Sequence, residues 1–454
     1  MSFPAYSAYK DSGNEWIGAI PDHWLASPLK RAFIIQGGST PTPDEVNWDG
    51  DIAWVTPADL SSLSSLFIEA SKRTITATGL ASCGTTLLPA GSLILSTRAP
   101  IGSLAIGLFS MCTNQGCKGL VPNANASVAY FAFVLLTAKG ELNNRGRGST
   151  FLEISGDELS RFNVPMPPFA EQTQIARFLD HETARIDALI EEQQRLIELL
   201  KEKRQAVISH AVTQGLDPTV PMKDSGVEWL GEVPAHWSVV PFGLAFGYQE
   251  GPGIMAADFR DEGVPLVRIS GVQGRWVTLQ GCNYLDPAKV NGKWGHFRLE
   301  HGDLIISGSA SMGLVSEVGE EAIGAVAYTG LIRLTPKIGI SDRDFIRSVV
   351  GSYQFFAQID LLKAGSTIQH FGPTHLSQMK VVLPPLDEQI KVAAYVDRTS
   401  IQFAQLLDDA GKNNDILQER RAALISAAVT GKIDVRGWQP PTSAPSPESA
   451  QEAI

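Results

Sequence analysis

The segment Lys10–Trp24 reads KDSGNEWIGAIPDHW, and the segment Lys223–Trp237, which starts 213 residues later, reads KDSGVEWLGEVPAHW. The two segments carry the same residue at 10 of 15 positions. Such self-similarity at a fixed spacing is typical of a repeated structural unit. The chain is therefore predicted to be a tandem duplication.

Two other segments recur, both at an offset of 217 residues. The proline pair and Glu-Gln of Pro167–Gln172 return in Pro384–Gln389, and RQAVISHAVT (Arg204–Thr213) returns as RAALISAAVT (Arg421–Thr430). The sequences between these segments hardly match. Repeated ends with unlike interiors indicate one scaffold that carries two different binding faces.

Composition favours two globular units. The chain has 454 residues, 44% of them apolar, so two units of roughly 215 residues can each bury a core. We predict globular domains at residues 1–166 and 216–382, helical spacers at 167–215 and 383–435, and a disordered Pro/Ser-rich tail at 436–454. No apolar run reaches the roughly 18 residues of a membrane span and no secretory signal is recognisable, so we expect a cytoplasmic protein without membrane contact.

Short apolar runs broken by Gly, Pro, Asn and Ser dominate both interiors, which favours strands. Examples are IAWV, SLILS and LAIGL in the first half, and VPLVRIS, GDLIIS and LIRLTP in the second. Helical character is predicted near the end of each interior, around residues 128–139 and 342–362. The expected fold class is α+β, with mixed strand-rich domains.

A long helix is predicted after each proline pair, because proline ends a preceding strand and suits the first turn of a helix. Residues 171–212 would form roughly 60 Å of helix, too long for one small domain to cover. Apolar residues recur at three- and four-residue steps, which indicates a coiled-coil seam between the two helices. The predicted seam comprises Ile175, Leu179, Ile186, Leu189, Leu196, Leu200 and Val207, and Val392, Val396, Phe403, Leu406, Leu417 and Leu424. Ile190, Ile197, Leu199 and Ile208 lie off this seam and could serve a second subunit.

The charge distribution is uneven. The net charge of −11 argues against a simple nucleic-acid binder, because phosphate affinity depends on clustered Lys and Arg. Residues 70–140, however, contain no Asp or Glu, and the stretch between Glu262 and Glu300 holds only Asp286. Each half therefore has a locally basic region, which is either a nucleic-acid surface or ordinary solvated charge.

No catalytic constellation emerges from the sequence. Met166–Phe169 (MPPF) is similar to the motif of adenine amino methyltransferases, but Met166 replaces the Asn or Asp that accepts the hydrogen bond. No phosphate-binding loop of the form GxxxxGK[ST] is present. The four cysteines lack metal-site spacing and are interpreted as buried thiols, and no metal site is predicted. His23 and His236, which recur beside tryptophan, are interpreted as structural.

The order of parts, with KDSGVEWLGEVPAHW opening a half and PPLDEQI closing it, resembles the specificity subunit of type I restriction-modification enzymes over nearly the whole chain. The resemblance implies two target-recognition domains, each reading one half of a bipartite, asymmetric site in double-stranded DNA. It also implies two helices that pair antiparallel as a spacer, with a pseudo-twofold internal repeat. Two modification (methyltransferase) subunits and restriction/translocase subunits would dock on the chain. S-adenosylmethionine, ATP and Mg²⁺ are then expected in those partners, with no cofactor in this chain.

Loops with Arg or Lys are the best candidates for DNA contact, because these side chains reach phosphates and arginine also binds guanine. The first choice is the loop Asn143–Thr150, with its counterpart Lys363–Thr367. The predicted DNA-binding residues are Arg145, Arg147, Ser149, Thr150, Arg98, Lys72, Arg73, Arg268, Arg275, Lys363, Ser366, Thr367 and Gln369. The alternative to the DNA-specificity hypothesis is a coiled-coil scaffold that binds proteins without DNA contact, and a solitary enzyme with an unusual site is a third.

Overall fold

The computed structural model describes residues 3–63, 65–146, 152–308, 315–363 and 371–440. Contacts between residues divide the chain into two units. The first unit comprises residues 1–193 and 413–454, and the second comprises residues 194–412. Each unit therefore contains one globular domain and parts of both long helices.

The globular domain of the first unit is rich in short strands. Its described strands are β1 (Tyr9–Asp11), β2 (Ala19–Pro21), β3 (Leu25–Pro28), β4 (Phe33–Gly37), β5 (Trp48–Val55), β6 (Phe67–Ile68), β7 (Thr74–Ile75), β8 (Leu93–Ser96), β9 (Leu104–Gly107), β10 (Cys112–Thr113), β11 (Cys117–Pro122) and β12 (Asn163–Met166). Its helices are α1 (Pro57–Ser61), α2 (Ala77–Ser82), α3 (Val128–Thr137), α4 (Lys139–Arg145) and α5 (Gly156–Ser160), followed by the long helix α6 (Phe169–Gln214). A larger sheet has the order β4-β11-β8-β9-β6, and a smaller sheet has the order β10-β5-β7.

The second globular domain repeats this arrangement. Its described strands are β13 (Met222–Asp224), β14 (Glu232–Pro234), β15 (Ser238–Pro241), β16 (Phe246–Glu250), β17 (Phe259–Arg260), β18 (Val264–Val267), β19 (Asn283–Leu285), β20 (Leu304–Ser307), β21 (Val315–Glu317), β22 (Val326–Ala327), β23 (Leu331–Pro336) and β24 (Lys380–Leu383). Its helices are α7 (Phe242–Ala245), α8 (Pro287–Lys289), α9 (Arg343–Val350), α10 (Tyr353–Lys363) and α11 (Pro373–Gln378), followed by α12 (Leu386–Val429). The larger sheet has the order β16-β23-β20-β21, and the smaller has the order β17-β19-β18-β22. The smaller sheet of each domain contains one parallel strand pair, β5 with β10 and β18 with β22.

In each globular domain the strand that directly follows the opening motif pairs with the last strand, and this explains why the two ends of the domain are repeated. Strand β3 runs antiparallel to β12, and β15 runs antiparallel to β24. This pairing places the HW end of the opening motif beside the proline pair of the closing motif. In the first unit, His23 Nε2 lies 2.8 Å from Glu171 Oε2; in the second, His236 Nε2 lies 2.8 Å from Glu388 Oε1.

The third repeated segment, at the end of each long helix, packs where the opening and closing motifs meet. Helix α12 is followed by Gly431, which has a φ of 73° and packs so closely on Pro21 and Trp24 that a Cβ atom would clash. Gly215 follows α6 with a φ of 81° and packs on Trp237 less closely, since an added Cβ atom would lie 3.1 Å from the indole ring. We call each meeting of the three repeated segments a junction. The repeated sequence encodes the junctions, and His23 and His236 serve in them as predicted.

The glutamine after the junction glutamate fixes a third contact. Gln172 is buried; its Oε1 accepts a hydrogen bond from Ser127 N (2.9 Å), and its Nε2 donates to Pro167 O (2.9 Å). Gln389 repeats both contacts, with Asp342 N (2.9 Å) and Pro384 O (2.9 Å). Each glutamine therefore ties the start of a long helix to the start of a domain helix, α3 or α9.

The long helices extend for 46 residues in α6 and 44 residues in α12. Within the first unit they run antiparallel, since Ile175 and Leu179 share a core with Ile425 and Val429, while Asp187 further along α6 binds Arg421 at 2.6 Å. Within the second unit, α6 contributes Ile208, Ala211 and Val212 to a core that also holds residues 392, 393 and 396 of α12. The predicted α+β class with two strand-rich domains and two long helices is confirmed.

The predicted seam is wrong in its middle. Leu189, Leu196 and Leu406 are exposed, with 51%, 43% and 50% of their surface accessible. Ile190 and Ile197, predicted to lie off the seam, are partly buried, and Ile208 is buried. From Ile186 onward the buried or partly buried positions of α6 keep the heptad period, but a four-residue step follows Ile186 where the prediction took three, so one position in each heptad was placed one residue too early. The seam residues that are buried or partly buried are Ile175, Leu179, Ile186, Leu200, Val207, Val392, Val396, Phe403, Leu417 and Leu424.

The predicted disordered tail at 436–454 begins too early. Trp438 packs edge-on against Phe178 with ring centroids 5.4 Å apart, and its carbonyl oxygen accepts a hydrogen bond from Gln174 Nε2 at 2.6 Å. Residues 441–454 lie outside the described residues. The packing of Trp438 therefore extends the first unit beyond α12.

Candidate nucleic-acid interface

The loop that the sequence ranked first is only partly described. Asn143–Arg145 form the last turn of α4 rather than a loop. Arg145 Nε lies 3.0 Å from Glu141 Oε1, and its Nη1 lies 3.5 Å from Glu158 Oε1. The guanidinium also lies 5.0 Å from the ring centre of Phe162. Arg145 therefore stabilises the domain through two carboxylates and is a weak candidate for DNA contact.

Several other candidates in these loops fall outside the described residues, namely Arg147, Ser149, Thr150, Ser366, Thr367 and Gln369. Lys363 is the last residue of α10. These positions stay predictions.

Two further arginines from the prediction are also paired with carboxylates. Arg98 Nε lies 2.8 Å from Glu153 Oε2, and the two residues form an isolated antiparallel bridge. Arg275 Nη1 lies 3.2 Å from Asp397 Oδ1, and its Nη2 lies 3.9 Å from Glu317 Oε2. These contacts neutralise positive charge, so both arginines are less available to a phosphate than the sequence suggests.

Lys72 and Arg73 lie together at the start of β7, on the smaller sheet of the first domain. Both residues are exposed, and no carboxylate pairs with either side chain among the described residues. The Arg73 guanidinium lies 3.6 Å from the ring centre of Trp48 and 5.7 Å from that of Trp54. This pair is the best-placed described candidate in the first domain.

Arg268 directly follows β18, on the smaller sheet of the second domain. Its guanidinium lies 3.9 Å from the ring centre of Tyr328 and 5.9 Å from that of Phe259. Its Nη1 donates a 3.3 Å hydrogen bond to Asn283 Oδ1. Arg268 therefore resembles Arg73, since both stack on aromatic rings of a smaller sheet and neither has a carboxylate partner among the described residues.

The sequence did not single out the aromatic partners of these arginines. Trp48 and Trp54 lie on one strand, but the register of β5 shifts between Trp48 and Ile52, so their even spacing alone does not place both side chains on one face. Their meeting with Arg73 depends on the pairing of β5 with β7, which no local pattern reveals. Trp294 is different, because its ring centre lies 5.2 Å and 5.4 Å from the ammonium groups of Lys289 and Lys293, which belong to the same short helical stretch.

Other classes of site are not evident in the part of the chain that the structure describes. Its His, Cys, Asp and Glu side chains form no group of three or more that could hold a metal ion. Nor does that part contain a helix with the length and apolar character needed to cross a lipid bilayer. Cys112 and Cys117 are buried, and burial raises the pKa of each thiol to about 12.

Comparisons of sequence show similarity to one protein family. Residues 21–200 match the family described as "Type I restriction modification DNA specificity domain". The chain is 30% identical over 262 residues to the type I restriction enzyme MjaIX specificity subunit of Methanocaldococcus jannaschii, covering 56% of this chain and 59% of that protein. It is 23% identical over 351 residues to the MjaVIII specificity subunit of the same organism, covering 76% and 79% of the two chains. The chain thus spans less than two thirds of the first relative and more than two thirds of the second.

Solved structures with a similar fold cover nearly the whole chain. One belongs to work on assembly and conformational transition of a type I restriction-modification system; it has a TM-score of 0.70 and 16% identity, covering 90% of this chain and 98% of that one. Another is the HsdS subunit from Thermoanaerobacter tengcongensis, with a TM-score of 0.54, 16% identity, and coverage of 91% and 98%. At this identity the likeness concerns the fold.

Proposed function

We propose that the chain, which is similar to the specificity subunits of type I restriction-modification enzymes, is the DNA-recognition subunit of such a complex. In this proposal each globular domain reads one half of a bipartite, asymmetric DNA site. The chain itself is not an enzyme; methyl transfer and restriction occur in partner subunits, which use S-adenosylmethionine, ATP and Mg²⁺.

The observation that carries this proposal is the contrast between junctions and smaller sheets. Both junctions pair a histidine with a glutamate and bury a glutamine in equivalent contacts, and each has a glycine of positive φ packed on tryptophan. The smaller sheets present different residues, with Arg73 on tryptophan in one and Arg268 on tyrosine in the other. A fixed scaffold with two unlike faces suits a site whose two halves differ in sequence.

Docking of partners is proposed on the long helices. Exposed apolar residues there include Leu189, Leu196 and Leu199 of α6 and Ile401, Leu406 and Ile416 of α12. Exposed apolar side chains on a helix favour a second neighbour. We assign these exposed side chains, within each unit separately, to contacts with the two modification subunits, through which restriction subunits would join.

A footprint on duplex DNA tests the proposal. The full chain, assembled with its modification subunits, is expected to protect two short stretches separated by a less protected spacer. Protection of one continuous half-site would contradict the proposal. A parallel assay of methyl transfer by the purified chain alone should show no activity.

The second candidate function is a protein-binding scaffold without DNA contact. The net charge of −11 and the carboxylate partners of Arg98, Arg145 and Arg275 favour it. Salt titration distinguishes the two functions. Release of counterions makes DNA affinity fall steeply with added salt, about 10³-fold to 10⁵-fold between 50 and 200 mM for six to ten phosphate contacts, whereas a mainly apolar protein interface is much less sensitive.

A further inference from the structure

The platform under Arg73 is held rigidly. Trp48 and Trp54 are buried and meet edge to face with ring centroids 5.1 Å apart. Trp48 Nε1 donates to Thr42 O at 2.9 Å, and Trp54 Nε1 donates to Ser39 O at 2.9 Å. Both indole rings are therefore fixed at their polar ends as well as by packing.

The backbone that carries Arg73 is fixed too. Ser71 Oγ donates to Arg73 O at 2.6 Å, and Trp54 N donates to the same carbonyl at 3.2 Å. The neighbouring Lys72 N donates to Asp59 Oδ1 at 3.0 Å, and this buried carboxylate also accepts from Thr56 N. The turn before β7 is thus held at both of its exposed residues.

The guanidinium of Arg73 keeps its donors available. Its flat face covers Trp48, while the N–H groups of a guanidinium lie in its plane and point outward. No acceptor pairs with these groups among the described residues, in contrast to Arg98 and Arg145. Fixed geometry and free donors are the two properties that a bidentate contact requires.

The second domain offers a comparable arrangement at a different point. Arg268 and Tyr328 each follow directly after one strand of the parallel pair β18–β22, and Tyr328 N donates to Val267 O at 3.0 Å. Arg73 instead precedes β7, at the other side of its smaller sheet. The two arginines therefore share an aromatic platform but not position. Arg268 Nη1 is engaged by Asn283 Oδ1 at 3.3 Å, so its Nε and Nη2 donors would make a two-donor contact.

We propose that Arg73 and Arg268 are specificity-determining residues, each of which reads a guanine in one half of the DNA site by a two-donor contact to its O6 and N7 atoms. This inference rests on the proposed function and deepens it. The platforms determine which base each domain requires, whereas unstacked lysines such as Lys72 supply contacts to phosphate. The unequal positions of the two arginines would place the guanines differently within the two half-sites.

Base reading and phosphate contact predict different results. An arginine that reads guanine favours guanine over another base by about 5-fold to 150-fold at one base pair, because the wrong base leaves the guanidinium N–H donors unpaired. An arginine that binds phosphate contributes equally to every sequence. The pattern of preference therefore separates the two roles.

Selection from a random duplex DNA library tests the assignment. The full chain, assembled with its modification subunits, is compared with its Arg73→Ala and Arg268→Ala variants. Arg73→Ala is expected to lose a guanine from one half of the selected motif and leave the other half unchanged, and Arg268→Ala is expected to do the reverse. Uniformly weaker binding with an unchanged motif would overturn the inference and indicate phosphate contact. Loss of guanine from both halves in a single variant would also overturn the inference.

Arg73→Lys is the decisive second variant, because lysine keeps the positive charge but lacks the two parallel N–H donors of a guanidinium. It should retain most of the affinity for random DNA and still lose the guanine preference. Arg145→Ala, which removes an arginine already paired with Glu141 and Glu158, is the matched control and should leave the motif intact. Thermal melting of each variant checks that the domain is folded.

Failure of the proposed function can be distinguished from failure of this inference about the two arginines. If the unaltered chain selects no two-part motif, the proposed function is wrong. If it selects a two-part motif that both arginine variants reproduce, only the present inference is wrong.

Discussion

Helices α3 and α9 begin at equivalent places in the two units, yet their surroundings have opposite chemistry. Each start is held by a junction glutamine, through Ser127 N or Asp342 N. All residues from Tyr130 to Leu135 of α3 are buried in an apolar core. In contrast, α9 turns Phe345 and Val350 into the core and carries Arg343 and Arg347 on another side.

The arginines of α9 surround a buried carboxylate. Glu317, whose side chain is 4% exposed, lies 3.1 Å from Arg343 Nη1, also binds Arg347, and lies 3.9 Å from Arg275. A cavity of about 860 Å³ lies beside this cluster, lined by Arg275 and Arg347 and by residues of both long helices within the second unit. The contrast shows that the scaffold depends on its junctions, while the chemistry next to them is free to change.

The largest expected effect is that of Phe131→Ala in the first unit. Phe131 is fully buried and packs edge-on against Phe33 with ring centroids 5.2 Å apart. Loss of a buried phenyl ring costs about 3–5 kcal/mol, through lost burial and the cavity that remains. Hydrogen exchange of the full chain should show the loss in peptides of the first unit. Phe67→Ala, at an exposed ring of the same unit, is the control, and equal loss of protection in both units would contradict the division.

The second expected effect is that of Glu317→Ala, which removes the centre of the charge cluster. It leaves Arg347 partly buried without its carboxylate, which costs about 3 kcal/mol, at the low end for a broken buried pair because Arg275 and Arg343 reach solvent. Exchange should increase in peptides of α9 and β21. Glu153→Ala breaks the more exposed pair with Arg98 and should cost about 0–1 kcal/mol. A similar result for both variants would mean that the cluster does not stabilise the second unit.

The contrast between repeated junctions and unlike surroundings also explains which features the sequence could reveal. The repeats Lys10–Trp24 and Lys223–Trp237 predicted two copies, and the proline pairs predicted where α6 and α12 begin. The interior strands followed from short apolar runs. These features are local, and local patterns are what a single sequence carries.

The features that the sequence missed depend on contacts between distant residues. Arg98, Arg145 and Arg275 were predicted to contact DNA, but tertiary structure brings each of them to a carboxylate, Glu153, Glu158 and Asp397 respectively. The platform of Trp48 under Arg73 depends on strand pairing. Leu189 and Leu196 were misassigned because the predicted frame missed the extra four-residue step after Ile186, which burial and not the apolar pattern reveals.

A third prediction concerns what the two units share. Gln172→Ala and Gln389→Ala each leave a buried backbone N–H and carbonyl groups without their side-chain partner. Each is expected to cost about 2 kcal/mol, in its own unit. The two values should agree, in contrast to the unlike effects at Phe131 and Glu317. Hydrogen exchange at the starts of α3 and α9 measures both, and a large difference between them would show that the junctions are not equivalent.

The smallest expected effect, without any loss of stability, concerns the cysteines of the first unit. Cys112 and Cys117 lie in β10 and β11, and burial raises the pKa of each to about 12. Only the thiolate reacts with iodoacetamide, so at pH 8 about one thiol in 10⁴ is reactive at either position. Intact mass should therefore show at most two adducts on the native chain, at the partly exposed Cys83 and Cys282, and four in urea. Labelling of Cys112 in the native chain would mean that β10 separates from β5, and the smaller sheet that supports Trp54 would then be too loose to hold Arg73 in place.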